Sequence, residues 1–114
     1  MEGARAHEWV DGEDVAVATE LSYAPDEPVE VVVRKRGWRF DVSDAGAAIE
    51  LAGRPSGWRP VAEQIVDAHA LNVNRSGVVF VQSNEERLER LIARVADGSV
   101  AVYQELLDRE LGSP

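Results

Sequence analysis

Between positions 88 and 107 the apolar residues return every three or four places: Leu88, Leu91, Ile92, Val95, Val102, Tyr103, Leu106 and Leu107, with Ser99 in the same phase. That is the period of an α-helix with one face turned to a core. Asp97-Gly98 falls in the middle, yet the stripe holds its phase on both sides. The pattern predicts one long helix over 84–111, with Gly98 as the place for any bend. Gly98→Ala is then expected to stabilise the fold by about 1 kcal/mol, the usual difference in helix propensity. Ser83-Asn84-Glu85-Glu86 reads as a capping box that starts the helix, with Ser83 as the cap.

The surface that such a helix needs lies upstream. Val15, Val17, Thr19, Leu21 and Tyr23 alternate with Ala16, Ala18, Glu20 and Ser22, the period-two pattern of a half-buried strand. Ala24-Pro25-Asp26-Glu27-Pro28 breaks it. Strands over 29–35 and 38–42 follow, joined at Arg36-Gly37. A two-residue turn there sets Val33 opposite Phe40, Arg34 opposite Arg39 and Lys35 opposite Trp38. One face then carries Val31, Val33, Trp38, Phe40 and Val42 and belongs to the core. The other carries Arg34, Arg39 and Asp41 and belongs to solvent.

Further along, Asp44 is placed to cap a helix over 45–52, which Gly53 and Pro55 stop. Pro60 suits the first turn of a helix over 60–70, with Val61, Ile65 and Ala68 inward and Trp58 as core or staple. Val73 and Val78–Val81 flank Asn74-Arg75-Ser76-Gly77, a hairpin signal. Because Val78, Val79, Phe80 and Val81 are all apolar, that strand is expected to be covered on both faces. A short helix over 2–9 completes the order α-β-β-β-α-α-β-β-α. The expectation is a single α+β domain over 1–114, built on a small antiparallel sheet with a long C-terminal helix.

The stretch Arg39-Phe40-Asp41-Val42-Ser43-Asp44-Ala45-Gly46 resembles the signature of a bacterial and phage family catalogued only as a domain of unknown function. That signature is a strand, a (Ser/Thr)-Asp-x-Gly turn and a short helix. A second helix, a small hairpin and a long C-terminal helix follow in the family, and 59–107 keeps that order, so the likeness spans about residues 13–111. It implies the fold and a setting in phage biology or bacterial defence, and it implies no activity. Its two marker residues here are Asp44 and Gly46, each of which also has a local structural task as cap and tight strand exit. The order of elements is also similar to that of small acidic secretion-chaperone-like domains, which implies a homodimer.

Composition narrows the chemistry. The chain has no cysteine, so disulfides, thiolate zinc sites and cysteine nucleophiles are excluded. The two histidines, His7 and His69, lie on distant segments. There is no Gly-x-Ser-x-Gly elbow and no Gly-rich phosphate loop. No cofactor and no metal are expected. The formal charge of −9 opposes general binding to duplex nucleic acid. With no basic-then-apolar leader and no long apolar run, the expected location is cytoplasmic, away from membranes.

The charge is segregated. Residues 1–30 hold nine acids against Arg5, and residues 31–60 hold six cations against Asp41, Asp44 and Glu50. The basic run Arg34-Lys35-Arg36-Gly37-Trp38-Arg39 puts cations beside an aromatic at a hairpin end, which suits an acidic protein surface. The expected function is a non-enzymatic protein-binding or regulatory module using Arg34, Lys35, Arg36, Trp38 and Arg39. The alternative is a metal-dependent nuclease or enzyme subunit using Glu20, Asp26, Glu30 and Lys35, the sole lysine.

Overall fold

A computed structural model describes residues 9–111. The alternating stretch forms β1 (Asp14–Ala24), followed by β2 (Glu27–Arg36) and β3 (Arg39–Ser43). Two helices, α1 (Ala47–Leu51) and α2 (Trp58–Ala68), lead to the hairpin strands β4 (Asn72–Val73) and β5 (Val79–Asn84). A 3₁₀ turn, Glu85–Arg87, runs straight into α3 (Leu88–Leu111). The strands form one antiparallel sheet in the order β1-β2-β3-β5-β4. This is the expected α+β fold. The helix expected over 2–9 lies outside the described residues, apart from Trp9, which is irregular.

The sheet has a dry face and a wet face because its strands alternate. Along β1, Val17 and Tyr23 are buried while Ala16, Ala18, Glu20 and Ser22 are exposed. Val31, Val33, Phe40, Val42 and Val79 complete the dry face, and α3 lies across it with Leu88, Ile92, Val95, Val102 and Leu106 inward. α3 touches β1, β2, β3 and β5, and both α1 and α2 pack on it. Each wholly buried aliphatic side chain contributes about 1.5–3 kcal/mol, so this one seam is the main source of stability.

The register of the central hairpin differs from the expectation. Arg36 pairs with Arg39, Lys35 with Phe40, and Val33 with Val42 rather than with Phe40. The turn is therefore Gly37-Trp38, with Gly37 at the first central position and a φ of 62°. That is where a tight hairpin turn calls for a glycine. A slip of two residues preserves every side chain's face, so Phe40 is buried and Arg39 exposed as expected. It moves Trp38 out of the strand, however, and Trp38 is 79% exposed instead of in the core.

Other local expectations are corrected by neighbouring contacts. β5 is covered on one side only: Val79 is fully buried, whereas Val78 and Phe80 stay half-exposed on the wet face. The buried positions of α2 are Ala62 and Val66, with Val61 and Ile65 partly covered and Ala68 exposed. The start of α3 is capped by Asn84, whose side chain accepts from the Arg87 amide at 3.0 Å. Ser83 is still in the strand, and its hydroxyl donates to the Asn84 carbonyl at 2.8 Å.

α3 runs without a break through Gly98, as its apolar stripe requires. The expected gain from Gly98→Ala is reversed by a neighbour. A Cβ on Gly98 would sit 2.4 Å from Leu71 Cδ1, and Leu71 is itself buried. Overpacking of this kind costs about 1–3 kcal/mol, which exceeds the propensity gain of about 1 kcal/mol. Gly98→Ala is therefore expected to lower the thermal midpoint. The double variant Gly98→Ala/Leu71→Ala should lose less stability than the two single losses combined, which urea unfolding of all three would show.

Candidate functional site

The basic hairpin end is held by the acidic segment before β1. The Gly12 amide donates to the Lys35 carbonyl at 2.8 Å, and the Asp11 carboxylate accepts from the Gly37 amide at 2.5 Å. Asp14 takes Arg34 in a two-pronged pair, Nε to Oδ1 at 2.6 Å and Nη2 to Oδ2 at 3.1 Å. Hydrogen bonding to Arg34, and the charges of Arg34 and Arg36, hold the Asp14 carboxyl below the usual carboxylate range. Arg36 pairs with Asp41 on the wet face at 2.5 Å. These pairs are exposed and add little stability, but they fix where the guanidinium groups point.

Of the five tip residues, Arg34 and Arg36 are thus engaged within the chain. Lys35 is half-buried beside the hairpin end. Trp38 and Arg39 face outward, with the Arg39 guanidinium 6.0 Å from the Trp38 ring centroid and 3.5 Å from Gln82 Oε1. An exposed indole next to an exposed guanidinium can bury apolar area and pair with a carboxylate in one contact.

The alternative constellation is spread along the first hairpin. Asp26 lies in the β1–β2 turn and Lys35 at the opposite end of β2. Glu30 pairs in the ladder with Ala18, and Glu20 sits in a stretch where the β1–β2 register shifts. Among the described residues, no group of three or more His, Asp or Glu side chains could hold a metal ion. No helix among them is long and apolar enough to cross a membrane.

Asp44 is a buried acid whose carboxylate accepts four hydrogen bonds. It is 1% exposed and does not sit at the N-cap of α1, which is Gly46 with a φ of 83°. Ala45 also has a positive φ, 55°, and the Ala47 amide returns to the Asp44 carbonyl at 3.1 Å, closing a tight turn. Glycine at 46 relieves half of a turn that asks two residues for left-handed backbone. Within it the carboxylate gathers four donors. Oδ1 accepts from the Gly46 and Val79 amides, at 2.8 and 2.9 Å. Oδ2 accepts from the Ala48 amide at 3.3 Å and the Ser99 hydroxyl at 2.7 Å. Ser99 has only one hydrogen to give, so Tyr23, 2.7 Å away, donates to it.

The relay Tyr23–Ser99–Asp44 ties β1, α3, β5 and the turn before α1 together. Burial pushes the Asp44 carboxyl up, against the opposing pull of its hydrogen bonds. Burial also pushes the Tyr23 phenol from 10.0 up to about 12, with the Asp44 charge adding to the effect. Asp44, Ser99 and Tyr23 line none of three surface cavities, the one between β1 and α3, the one beside His69 and Arg94, and the one on the wet face beside Arg34 and Asp41. The arrangement therefore does structural work: it satisfies buried amides and locks the chain's two halves in register. No protein-family model, curated protein or solved structure matches the chain.

Breaking the relay leaves buried donors unpaired. Ser99→Ala is expected to cost about 1–3 kcal/mol, and Asp44→Asn, which sets an NH₂ against donors, about 2–4 kcal/mol. Urea unfolding at neutral pH would measure both. Between pH 10.0 and about 12 the folded state keeps a Tyr23 proton that the unfolded chain releases. Stability from this group is full below that window and falls as pH rises through it. The stability difference between the parent and Tyr23→Phe should shrink across the same window.

Proposed function

We propose that the protein works by contact, as a non-enzymatic protein-binding module, and that Trp38 and Arg39 form the centre of the contact. The observation that carries this reading is the exposure of Trp38, at 79% the highest of any large apolar side chain described. It stands at the apex of a two-residue turn whose backbone is tied down by Asp11 and Gly12. A rigid aromatic with an adjacent guanidinium loses little entropy on binding and is the usual make-up of an interface anchor. The partner surface that fits is an acidic protein patch. Lys35 adds cationic charge at the same end, while Arg34 and Arg36 are positioned through Asp14 and Asp41. The remaining acidic surface repels nucleic-acid phosphates, which supports a protein partner over a duplex. The resemblance of the Asp44/Gly46 turn supports a phage or defence setting and adds no activity.

Substitutions at the two outward residues separate binding from folding. Trp38→Ala and Arg39→Glu should each change stability by no more than about 0.5 kcal/mol, since both are exposed. Quantitative affinity capture from host-cell lysate should enrich a partner with the parent protein. Each variant should lose that partner, and Glu30→Gln should keep it. Capture that ignores both variants removes the tip from the proposal. Metal-dependent cleavage of DNA by the purified protein, lost in Glu30→Ala, would replace the reading with the nuclease alternative.

A further inference from the structure

β1 is the outer strand of the sheet at the end away from the β4–β5 hairpin. Among the described residues, no strand pairs with its outer side. At 11 residues it is also the longest strand, and a long open edge is a template for another chain. Beside that edge lies α3, and between the two is a cavity of about 400 Å³ lined by Ala18, Thr19, Glu20, Leu21, Ala93, Ala96 and Asp97. Strand edge, neighbouring helix and intervening cleft are the parts used when an extended peptide adds to a sheet and drops side chains into a groove.

β1 bulges where it lines the cleft. The pairing with β2 is regular from Asp14 to Ala18 and shifts between Ala18 and Ser22. Thr19 holds the bulge from the inside: its hydroxyl donates to the Val29 carbonyl at 2.8 Å and accepts from the Leu21 amide at 3.2 Å. The regular half, Asp14–Ala18, is left as a straight edge, and the bulged half lines the cavity. The helix wall is low because Ala93 and Ala96 have only methyl side chains. Two acidic residues, Glu20 and Asp97, both exposed, are among the lining residues. Ala93 and Asp97 also border a second hollow of about 540 Å³ whose other walls include His69, Arg90 and Arg94. Cationic charge is therefore favoured on the β1 side, where Glu20 adds to Asp97.

We propose that the cleft between β1 and α3 binds an extended peptide segment carrying a basic side chain. The segment pairs with the edge of Asp14–Ala18 and places an ammonium or guanidinium group between Glu20 and Asp97. Charge selects this occupant over a second copy of the chain. Two protomers, each of formal charge −9, repel, and self-pairing would bring Asp14 and Glu20 of both copies to one seam. A basic segment gains from the same field. The surface is distinct from the Trp38 tip, so either proposal can fail alone.

The test is a titration followed by backbone amide NMR, with a synthetic peptide that alternates valine and lysine. Shifts are expected at Ala18–Leu21 and Ala93–Asp97. The counterpart alternating valine and glutamate should bind at least tenfold more weakly. Glu20→Lys, which reverses the charge, and Ala93→Leu, which fills the cleft from an exposed helix position, should each weaken the lysine peptide at least tenfold. Both should keep the parent's amide spectrum away from the cleft, and Trp38→Ala should bind like the parent. Equal binding of the two peptides, shifts confined to the wet face or the hairpin tip, or concentration-dependent pairing of the protein through β1 with no peptide response would each overturn the proposal.

Discussion

A single ionisable group, the Asp44 carboxylate, is asked to satisfy four donors from three different places. The Val79 amide belongs to β5, the Gly46 and Ala48 amides to the entry of α1, and the Ser99 hydroxyl to the middle of α3. Burying a carboxylate is costly, and the cost is offset only when every lone pair is used. Here the use is complete, so the penalty becomes a geometric constraint. Any arrangement that moves α3 relative to β5 strands a charge in the core. Tyr23 extends the constraint to β1, the far edge of the sheet, through Ser99. The hydrophobic seam supplies the stabilisation, and the relay selects one packing from the many that an Ala- and Val-rich core would tolerate.

Electrostatics shape the surface in a parallel way. The acidic segment before β1 and the basic β2–β3 hairpin lie side by side, and Asp11 and Asp14 take up the Gly37 amide and the Arg34 guanidinium. Segregated charge in the sequence thus becomes local pairing in the fold. What survives the pairing is small and well defined: an indole and one guanidinium on a turn tied to the segment before β1, with the half-buried Lys35 beside them. Had Arg34 and Arg36 been unpaired, the same end would be a diffuse positive patch with little preference among acidic surfaces. Pairing leaves a compact anchor instead, which is the form that gives specificity in protein contacts.

The sequence made the periodic parts of this structure legible. β1 alternates over its whole length, and α3 keeps a stripe near period 3.6 through Gly98, so both elements and their buried faces follow from residue spacing. The order of elements and the two-faced sheet follow too. Exact pairing did not. Arg36-Gly37 and Gly37-Trp38 turns give the same alternation, and the pairing of Arg36 with Arg39 decides between them, with positive φ at Gly37 and at neither Arg36 nor Trp38. That pairing moved Trp38 from an expected core position to a 79% exposed one, which sharpened the candidate tip to Trp38 and Arg39. The relay had a visible trace: Ser99 occupies a buried phase of an otherwise apolar stripe, and Tyr23 lies on the dry face of β1. A hydroxyl in each place needs a partner. Asp44 offered itself as a helix cap, a local task, and nothing in spacing alone connects it to a residue 55 positions away.

The middle of α3 shows how these constraints meet. Gly98 lets the helix approach Leu71 closer than any side chain would permit, since a Cβ there would lie 2.4 Å from Leu71 Cδ1. One residue on, Ser99 reaches Asp44; one residue back, Asp97 points to the cleft beside β1. Three consecutive residues thus address three different parts of the molecule, and a rotation of the helix would disturb the Gly98–Leu71 approach and the Ser99–Asp44 hydrogen bond together. A helical residue advances the facing direction by about 100°, so consecutive residues are well placed to address separate surfaces. The glycine is not a weak point in a long helix. It is where the helix comes closest to Leu71, one residue from the hydroxyl that donates to the buried carboxylate and one from an acid that borders the cleft.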